Sequence, residues 1–406
     1  MKKFSVFRNI LCILFLFLNF SCKSYKKLDE TEKNTKTTHK IEVQTSTGIE
    51  KIRMSFVGDI MAHDSNFMMA DYRKIYTDLA DVLLCDDLSF GNMEMPICDS
   101  LPMSNYPCFN VHSPYLEAAI NGGFDVFALA NNHSNDQGTK GIDGSLQSIQ
   151  DLQKRFPDKH VYFSGLKENA ADRMHPTLIE KNGFRILYLS VTELLNSHGA
   201  SKKRLYYSEP TEAGRQKLLE TISIMRRENP CDLFILSLHL YEPEYVFTVS
   251  QTKKNWFKQL NRAGVDIICA SHPHVMQTWE KVSNGTAPLL CDLGGGNFAL
   301  HSGFFMYSMG NFISGQRMQL NYPSPNHYRE YTGDAVLLQL EFCKLNGKVL
   351  DDFILTAFPI TVYRSADGFV MRHLTKEFIE SLPLERDKNY YRRRLELMYD
   401  YLPIFP

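Results

Sequence analysis

Three short polar segments interrupt the apolar runs of this chain: Asn131-Asn132-His133-Ser134-Asn135-Asp136, the lone His239 of Leu236-Ser237-Leu238-His239, and Ser271-His272-Pro273-His274. Each follows an apolar stretch that reads as a buried strand. Imidazole and amide groups thus stand at the mouths of several strands, where an open α/β sheet keeps its active site. Asp59 and Glu94 also come just past apolar stretches. Together these residues form the mixed nitrogen and oxygen donor set that a two-metal hydrolytic centre needs.

Each signal has a structural alternative. Gly58 lets the backbone turn sharply and present Asp59 to a strand-end crevice, but Asp59 is equally placed to cap the next helix. Glu94, between Met93 and Met95, is poorly housed unless it meets a cation or a donor network; otherwise it is a surface acid. In Asn132-His133 the amide oxygen suits a hard metal and the neighbouring imidazole suits a general acid. Helix capping and a core histidine account for the same two residues. His239 gains weight only from its company. Pro273 biases His272 away from helix, which makes His272 and His274 neighbours on an extended segment. Two imidazoles on one short loop point to metal, because each is costly to bury unpaired.

The elements that must position these groups alternate along the chain. Strands are expected at Met54–Phe56, Leu88–Phe90, Val126–Leu129, Ile186–Val191, Leu233–Leu238, Val265–Ala270 and Phe304–Ser308, and helices at Ser113–Asn121, Gly144–Phe156, Glu212–Arg227 and Thr252–Ala263. Such alternation argues for a layered α/β domain. From Asp334 the texture changes to two apolar runs around Asn346-Gly347, a hairpin signal, and the charged tail after Leu374 reads as helical. The 406 residues carry a net charge of −1 and no sustained basic stripe, which gives no electrostatic case for nucleic acid.

The N-terminus reads as an export signal. Lys2, Lys3 and Arg8 precede the apolar run Ile10–Leu18, which is too short to span a bilayer comfortably and ends at Ser21-Cys22. Cys22 after a small residue resembles a lipobox; a plain signal peptide or an uncleaved anchor are the alternatives. The polar stretch that follows suits a solvated tether. Among the remaining cysteines none shows CxxC spacing, and Cys98 and Cys108 flank a loop where they are placed to pair.

Taken together, Gly58-Asp59-Ile60-Met61, Asn92-Met93-Glu94-Met95-Pro96-Ile97, Ala130-Asn131-Asn132-His133, Ser237-Leu238-His239, His272-Pro273-His274-Val275 and Tyr307-Ser308-Met309-Gly310-Asn311-Phe312 resemble the capsule-synthesis CapA family, the poly-γ-glutamate capsule biosynthesis proteins. The resemblance implies a calcineurin-like metallophosphoesterase fold, a four-layer αββα sandwich. It implies divalent metal, with Mn, Zn or Fe as candidates, at Asp59, Glu94, Asn132, His239, His272 and His274. His133 becomes the catalytic acid, and Asn92 and Asn311 line the substrate pocket. Metallophosphoesterases carry a histidine two residues after their first aspartate; here that position is Met61.

The expected organisation is a lipoprotein signal at 1–22, a tether at 23–49, the metallophosphoesterase-fold domain at 50–370 and a helical extension at 371–406. The expected setting is the cell envelope, outside the cytoplasm, with a lipid anchor in the membrane. The expected partners are an extracellular polymer, polyglutamate or an envelope glycan, and a capsule synthase or export complex. Two functions fit: a metal-dependent hydrolase or transferase, and a non-catalytic lipoprotein that binds, anchors or helps export polymer. Lipidation is directly testable. Cys22→Ala is expected to release the protein from the membrane fraction or block its processing, and a variant that fractionates and matures like wild type refutes the anchor.

Overall fold

The computed structural model describes residues 48–282 and 303–403. The expected signal, Cys22, nearly all of the expected tether and the glycine-rich run Leu293–Phe298 lie outside the described residues.

Four strands open the fold: β1 (Ile49–Ile60), β2 (Leu88–Met93), β3 (Val126–Ala128) and β4 (Tyr162–Ser164), paired in parallel and in that order. A second sheet follows from β5 (Thr177–Lys181), β6 (Phe184–Thr192), β7 (Leu233–His239), β8 (Ile267–Ser271), β9 (Trp279–Val282) and β10 (Gly303–Met306), ordered β5-β6-β7-β8-β10-β9. The chain then returns to the first sheet. β11 (Asn311–Ile313) pairs in parallel with the end of β1 on the edge opposite β2, and along the same edge β12 (Asp334–Leu345), then β13 (Lys348–Ser365) and β14 (Gly368–His373), extend the sheet antiparallel.

The apolar runs decide the layering. β2 and β8 are buried along their whole length, as strands covered on both faces must be. Phe56 stacks on Phe90 at 4.7 Å between centroids, and Phe90 meets Tyr188 of the other sheet edge-on at 5.5 Å, so aromatic rings join the two sheets. Leu116 and Ala118 of the helix Ser113–Asn121, and Ile149 and Leu152 of Gly138–Arg155, share that core. On the far side Leu218 and Ile222 of Glu212–Glu228, with Trp256 and Phe257 of Gln251–Arg262, cover Phe234, Leu236 and Ile268 of the second sheet. The result is the expected helix–sheet–sheet–helix sandwich.

Differences from the sequence reading have local causes. The helix expected from Gly144 starts at Gly138, its first turns being hidden by three glycines, which are poor helix formers. Gly144 is there for clearance, since a Cβ would lie 2.2 Å from Cys98 Sγ. The strands β4, β5, β9 and β14 are short or half-exposed and leave little apolar signal. Asn346 and Gly347 both have positive φ, 50° and 77°, as the expected hairpin requires. Cys98 and Cys108 are free thiols, one buried and one exposed, so the suggested pairing is absent.

The residue-370 boundary expected between domain and extension falls inside β14. Beyond it the helix Glu385–Tyr401 buries Arg394, whose Nε donates to Asp334 Oδ2 at 2.6 Å, while Arg317 Nη1 donates to Asp334 Oδ1 at 2.6 Å. All three side chains are fully buried. Burial alone raises the Asp334 carboxyl, but the two guanidinium groups outweigh it and hold Asp334 below the usual carboxylate range. The Arg394 guanidinium also lies 4.0 Å over the Tyr331 ring. Arg394→Ala is therefore expected to lower unfolding free energy in urea by about 3–5 kcal/mol, the cost of breaking a buried pair. Arg393→Ala, on the exposed face of the same helix, is the control and should change it little.

Candidate metal centre

The expected ligands come from the ends of strands in both sheets. Asp59 is the penultimate residue of β1, at a register shift against β2. No sharp turn delivers it. Instead Gly58 makes room for the Gly310 carbonyl, which would lie 1.9 Å from a Cβ there and accepts from Asp59 N at 2.9 Å. Asp59 caps no helix, and the short helix that follows lacks a side-chain cap. Glu94 sits just past β2 and is fully buried, not a surface acid. His239 ends β7, and His272 and His274 follow β8.

Asp59, Glu94 and His239 offer one ligand atom each within 4.8 Å of one another, a group that can hold a metal ion. His274 joins them, with Nδ1 3.2 Å from Asp59 Oδ2 and Nε2 3.9 Å from Glu94 Oε1. The His272 ring lies 5.1 Å from that of His239 and 5.7 Å from that of His274. Asn132 is buried on the loop after β3, its Nδ2 donating to Asn196 Oδ1 at 3.2 Å. His133 stands beside it, Nδ1 2.7 Å from Asp136 Oδ2 and its ring edge-on to Phe109 at 4.7 Å. Neither Asn131 nor Asn132 caps the following helix, whose cap position is Gln137.

The hydrogen bonds leave specific atoms bare. Glu94 Oε1, Asn132 Oδ1, His239 Nε2 and His272 Nδ1 are buried without a hydrogen-bond partner. Each can offer a lone pair, and each belongs to a residue proposed as a ligand. A buried polar atom normally has a partner, so four such atoms on this set fit a cation better than they fit a core. The supporting bonds agree. His272 donates to the Glu242 backbone, which frees its Nδ1. Asn311 Nδ2 donates to Ser314 Oγ, Gln316 Oε1 and Thr332 O at 2.8 to 3.0 Å, which turns Oδ1 toward His274 Nδ1 at 3.0 Å. Outer partners of this kind fix ring orientation at metal sites.

Asn92 and Asn311, expected to face substrate, spend their amides inside the protein. Asn92 Nδ2 lies 2.8 Å from Asp59 Oδ1, 3.3 Å from Glu94 Oε2 and 3.5 Å from His239 Nδ1. His272 and His274 are not extended. Their φ values are 102° and 58°, and Tyr245 on the adjacent loop has φ 62°. The Tyr245 N–H bonds the Pro273 carbonyl at 2.8 Å, locking the two strained loops together. Such conformations cost about 1–3 kcal/mol each and persist where surroundings over-determine them. Behind the loop, Lys253 is buried against Glu242 and Gln277, and burial outweighs the Glu242 charge to bring it down to about 8.

Sequence reasoning missed two neighbours. Asn196, which holds Asn132, lies in a polar loop with no motif. His63 follows Asp59 by four residues and packs edge-on to Phe109 at 5.1 Å. Burial, then the charge of His274, brings His63 down to about 4. Its readable signal is a histidine just beyond the first-strand carboxylate, two places past Met61.

Burial, reinforced by the Asp59 charge, pushes Glu94 well above the usual carboxylate range. Burial, then the neighbouring imidazoles, holds His239 well below the usual histidine range and His272 at about 3. For His274 burial opposes the charged form, but the Asp59 hydrogen bond and charge win and raise it. The linkage signs follow. Glu94's stabilising contribution to the metal-free protein is present below its unfolded value of 4.5 and lost as pH rises through its elevated folded value. For His239 and His272 it is present above 6.5 and lost as pH falls toward their depressed values. Glu94→Gln is therefore expected to raise the metal-free melting temperature at pH 7–8 by on the order of a few degrees. If divalent metal raises the melting temperature of wild type, the same change should abolish that rise. Thermal melts with and without metal check both, and a variant less stable than wild type in metal-free buffer refutes the electrostatic account.

Comparison with known proteins places the chain among capsule biosynthesis proteins. The chain is 28% identical over 280 residues to the capsule biosynthesis protein CapA of Bacillus anthracis, a match covering 66% of this chain and 61% of that protein. It is 24% identical over 346 residues to the PGA biosynthesis protein CapA of Bacillus subtilis strain 168, covering 83% of this chain and 78% of that protein. A crystal structure of a hypothetical protein from Thermus thermophilus aligns at a TM-score of 0.38 and 13% identity, over 76% of this chain and 99% of that one, a remote likeness. The profile of the bacterial capsule synthesis protein family PGA_cap matches residues 53–316, a stretch that holds every proposed ligand, and this chain is a member of that family.

Proposed function

We propose that this protein is a metal-dependent hydrolase or transferase of the cell envelope, acting outside the cytoplasm on a capsule polymer, polyglutamate or an envelope glycan. The observation that carries the reading is the set of four buried, partnerless atoms on Glu94, Asn132, His239 and His272, beside Asp59 and His274. These six residues would hold divalent ions, and their oxygen and imidazole donors suit Mn, Zn or Fe. When bound, such ions activate water and polarise the scissile bond.

The chain's own groups do the rest. His133 donates through Nδ1 to Asp136, whose other bond, from Phe109 N at 2.9 Å, holds the carboxylate still. That arrangement fixes the ring and leaves the Nε2 lone pair to take a proton from the attacking water and hand it on to the leaving group. Asn92 and Asn311 keep Asp59 and His274 aligned. Family membership and the names of the two Bacillus relatives support capsule polymer as substrate. A lipid on Cys22 and work beside a capsule synthase or export complex belong to the same proposal. No helix among the described residues is long and apolar enough to cross a membrane.

One observation favours the alternative of binding without turnover. Met61 occupies the position of a metallophosphoesterase histidine and is buried, so it brings no imidazole to a second metal. The two readings separate on paired variants. If the protein is an enzyme, His133→Ala keeps its metal and loses roughly 10²–10⁴ in turnover, whereas His272→Ala loses metal. If it only binds, neither variant changes any hydrolytic rate, and binding of polymer falls instead. Elemental analysis, hydrolysis of model phosphoesters and of γ-glutamyl polymer, and polymer binding provide the readout. Equal metal loss in both variants refutes the roles assigned here.

A further inference from the structure

Two histidines pack against Phe109, and their hydrogen bonds force opposite tautomers. His63 and His133 both pack edge-on to its ring, at 5.1 and 4.7 Å between centroids. The backbone N–H of Gly315 lies 3.0 Å from His63 Nδ1. A backbone N–H can only donate, so this nitrogen must carry a lone pair, and the proton of a neutral ring sits on Nε2. His133 is the reverse. Its Nδ1 is 2.7 Å from Asp136 Oδ2, an acceptor when ionised, so Nδ1 holds the proton and Nε2 the lone pair. Asn196 Nδ2 lies beside the same ring, 3.1 Å from Nδ1 and 3.5 Å from Nε2. The shorter, charge-assisted bond to Asp136 decides which nitrogen keeps the proton.

The Gly315 bond bears on the missing ligand at Met61. His63 is the nearby imidazole that sequence position offers as a substitute. To ligate through Nε2 it would have to move its proton to Nδ1, against the Gly315 N–H. To ligate through Nδ1 it would have to give that bond up. His63 is therefore poorly suited to be a metal ligand and well suited to be a permanent donor. Nε2 makes no hydrogen bond among the described residues, and the ring is half-buried, between the Phe109 loop and the Asn311–Gly315 turn that orients His274. His274 and His133 are the site groups whose charge reaches it.

We propose that His63 is a substrate-binding residue, a fixed Nε2–H donor that takes one oxygen of an oxyanion while His133, packed on the same Phe109 ring, serves the reacting bond. The oxyanion is a phosphate or a carboxylate group of the substrate. This rests on the proposal that the cleft holds metal and substrate.

The test uses the full-length, metal-loaded protein with two probes, inorganic phosphate and acetate, which separate the two oxyanion classes. The variants are His63→Gln, whose Nε2 amide stands close to where the imidazole donor was, His63→Asn, whose shorter amide does not reach, and His63→Phe. Losing a hydrogen bond to a charged group is worth roughly 10- to 100-fold in affinity. We expect that loss in His63→Phe and His63→Asn for the preferred probe, affinity within about threefold of wild type in His63→Gln, and unchanged metal content in all three. Nitrogen-15 NMR of histidine-labelled wild type should show His63 as the Nε2–H tautomer and His133 as the Nδ1–H tautomer at neutral pH. An Nδ1–H tautomer at His63, metal loss in His63→Phe, or affinity for both probes indifferent to all three substitutions overturns the inference. If wild type holds metal and these fail, the proposed function stands without it. If wild type holds no metal and binds neither probe, both fall.

Discussion

Asp59 and Glu94 occupy one buried cleft, and among the described residues neither is met by a lysine or an arginine. The ion pairs they make there are all with histidines. Two carboxylates held this close cannot both ionise cheaply away from water. The fold handles another fully buried carboxylate differently. Asp334 has a guanidinium on each oxygen and stays ionised at no further demand. The contrast is within one sheet: Asp334 is neutralised by two guanidinium groups of the chain itself, whereas among the described residues Asp59 and Glu94 form ion pairs only with imidazoles. Strained histidines, bare lone pairs and the surrounding amides all follow from that unmet demand.

The scaffold is arranged so that the demand persists. Were the ligands on flexible loops, the carboxylates would turn to water and the imidazoles to one another. Instead β1, β2, β7 and β8 end at the cleft, and β11 locks against β1 through the Asp59–Gly310 bond. Asn92 holds one edge of Asp59 and Glu94, Ser271 of His239 and Asn311 of His274, while Glu94 Oε1 and His239 Nε2 make no hydrogen bond among the described residues. The positive φ values at His272, His274 and Tyr245 are the local cost of aiming two imidazoles from one tripeptide.

Much of this was legible in the sequence because buried parallel strands are simple to read. Their apolar runs end abruptly, and a polar residue at the break must have a reason. Asp59, Glu94, His239 and the His-Pro-His pair were found that way. What could not be read depends on partners far along the chain. His63 takes its tautomer from Gly315, 252 residues away. The left-handed turn at His272 comes from packing on the Tyr245 loop, where proline statistics suggested extension. Arg394 looked like one more charge on a charged helix, since nothing local distinguishes it from its exposed neighbour Arg393. Asn92 and Asn311 stand beside Asp59 and His274 with their amide hydrogen bonds made inside the protein, and a motif shows where an amide is and not where its hydrogen bonds go.

The parallel pairing of β11 with β1 has a consequence in time. His274 and Asp59 are 215 residues apart, and the strand that orients His274 begins at Asn311. Contacts of such long range form late, because loop closure must precede any reward from them. A nascent chain that has emerged only as far as His274 has the donors but not their alignment. It presents a loose collection of imidazoles and carboxylates that, by the general affinity order, favours copper or zinc over manganese. The donors reach their final alignment only when Asn311 has joined the end of β1, so the selectivity of the finished cleft is set by the last part of the chain to fold.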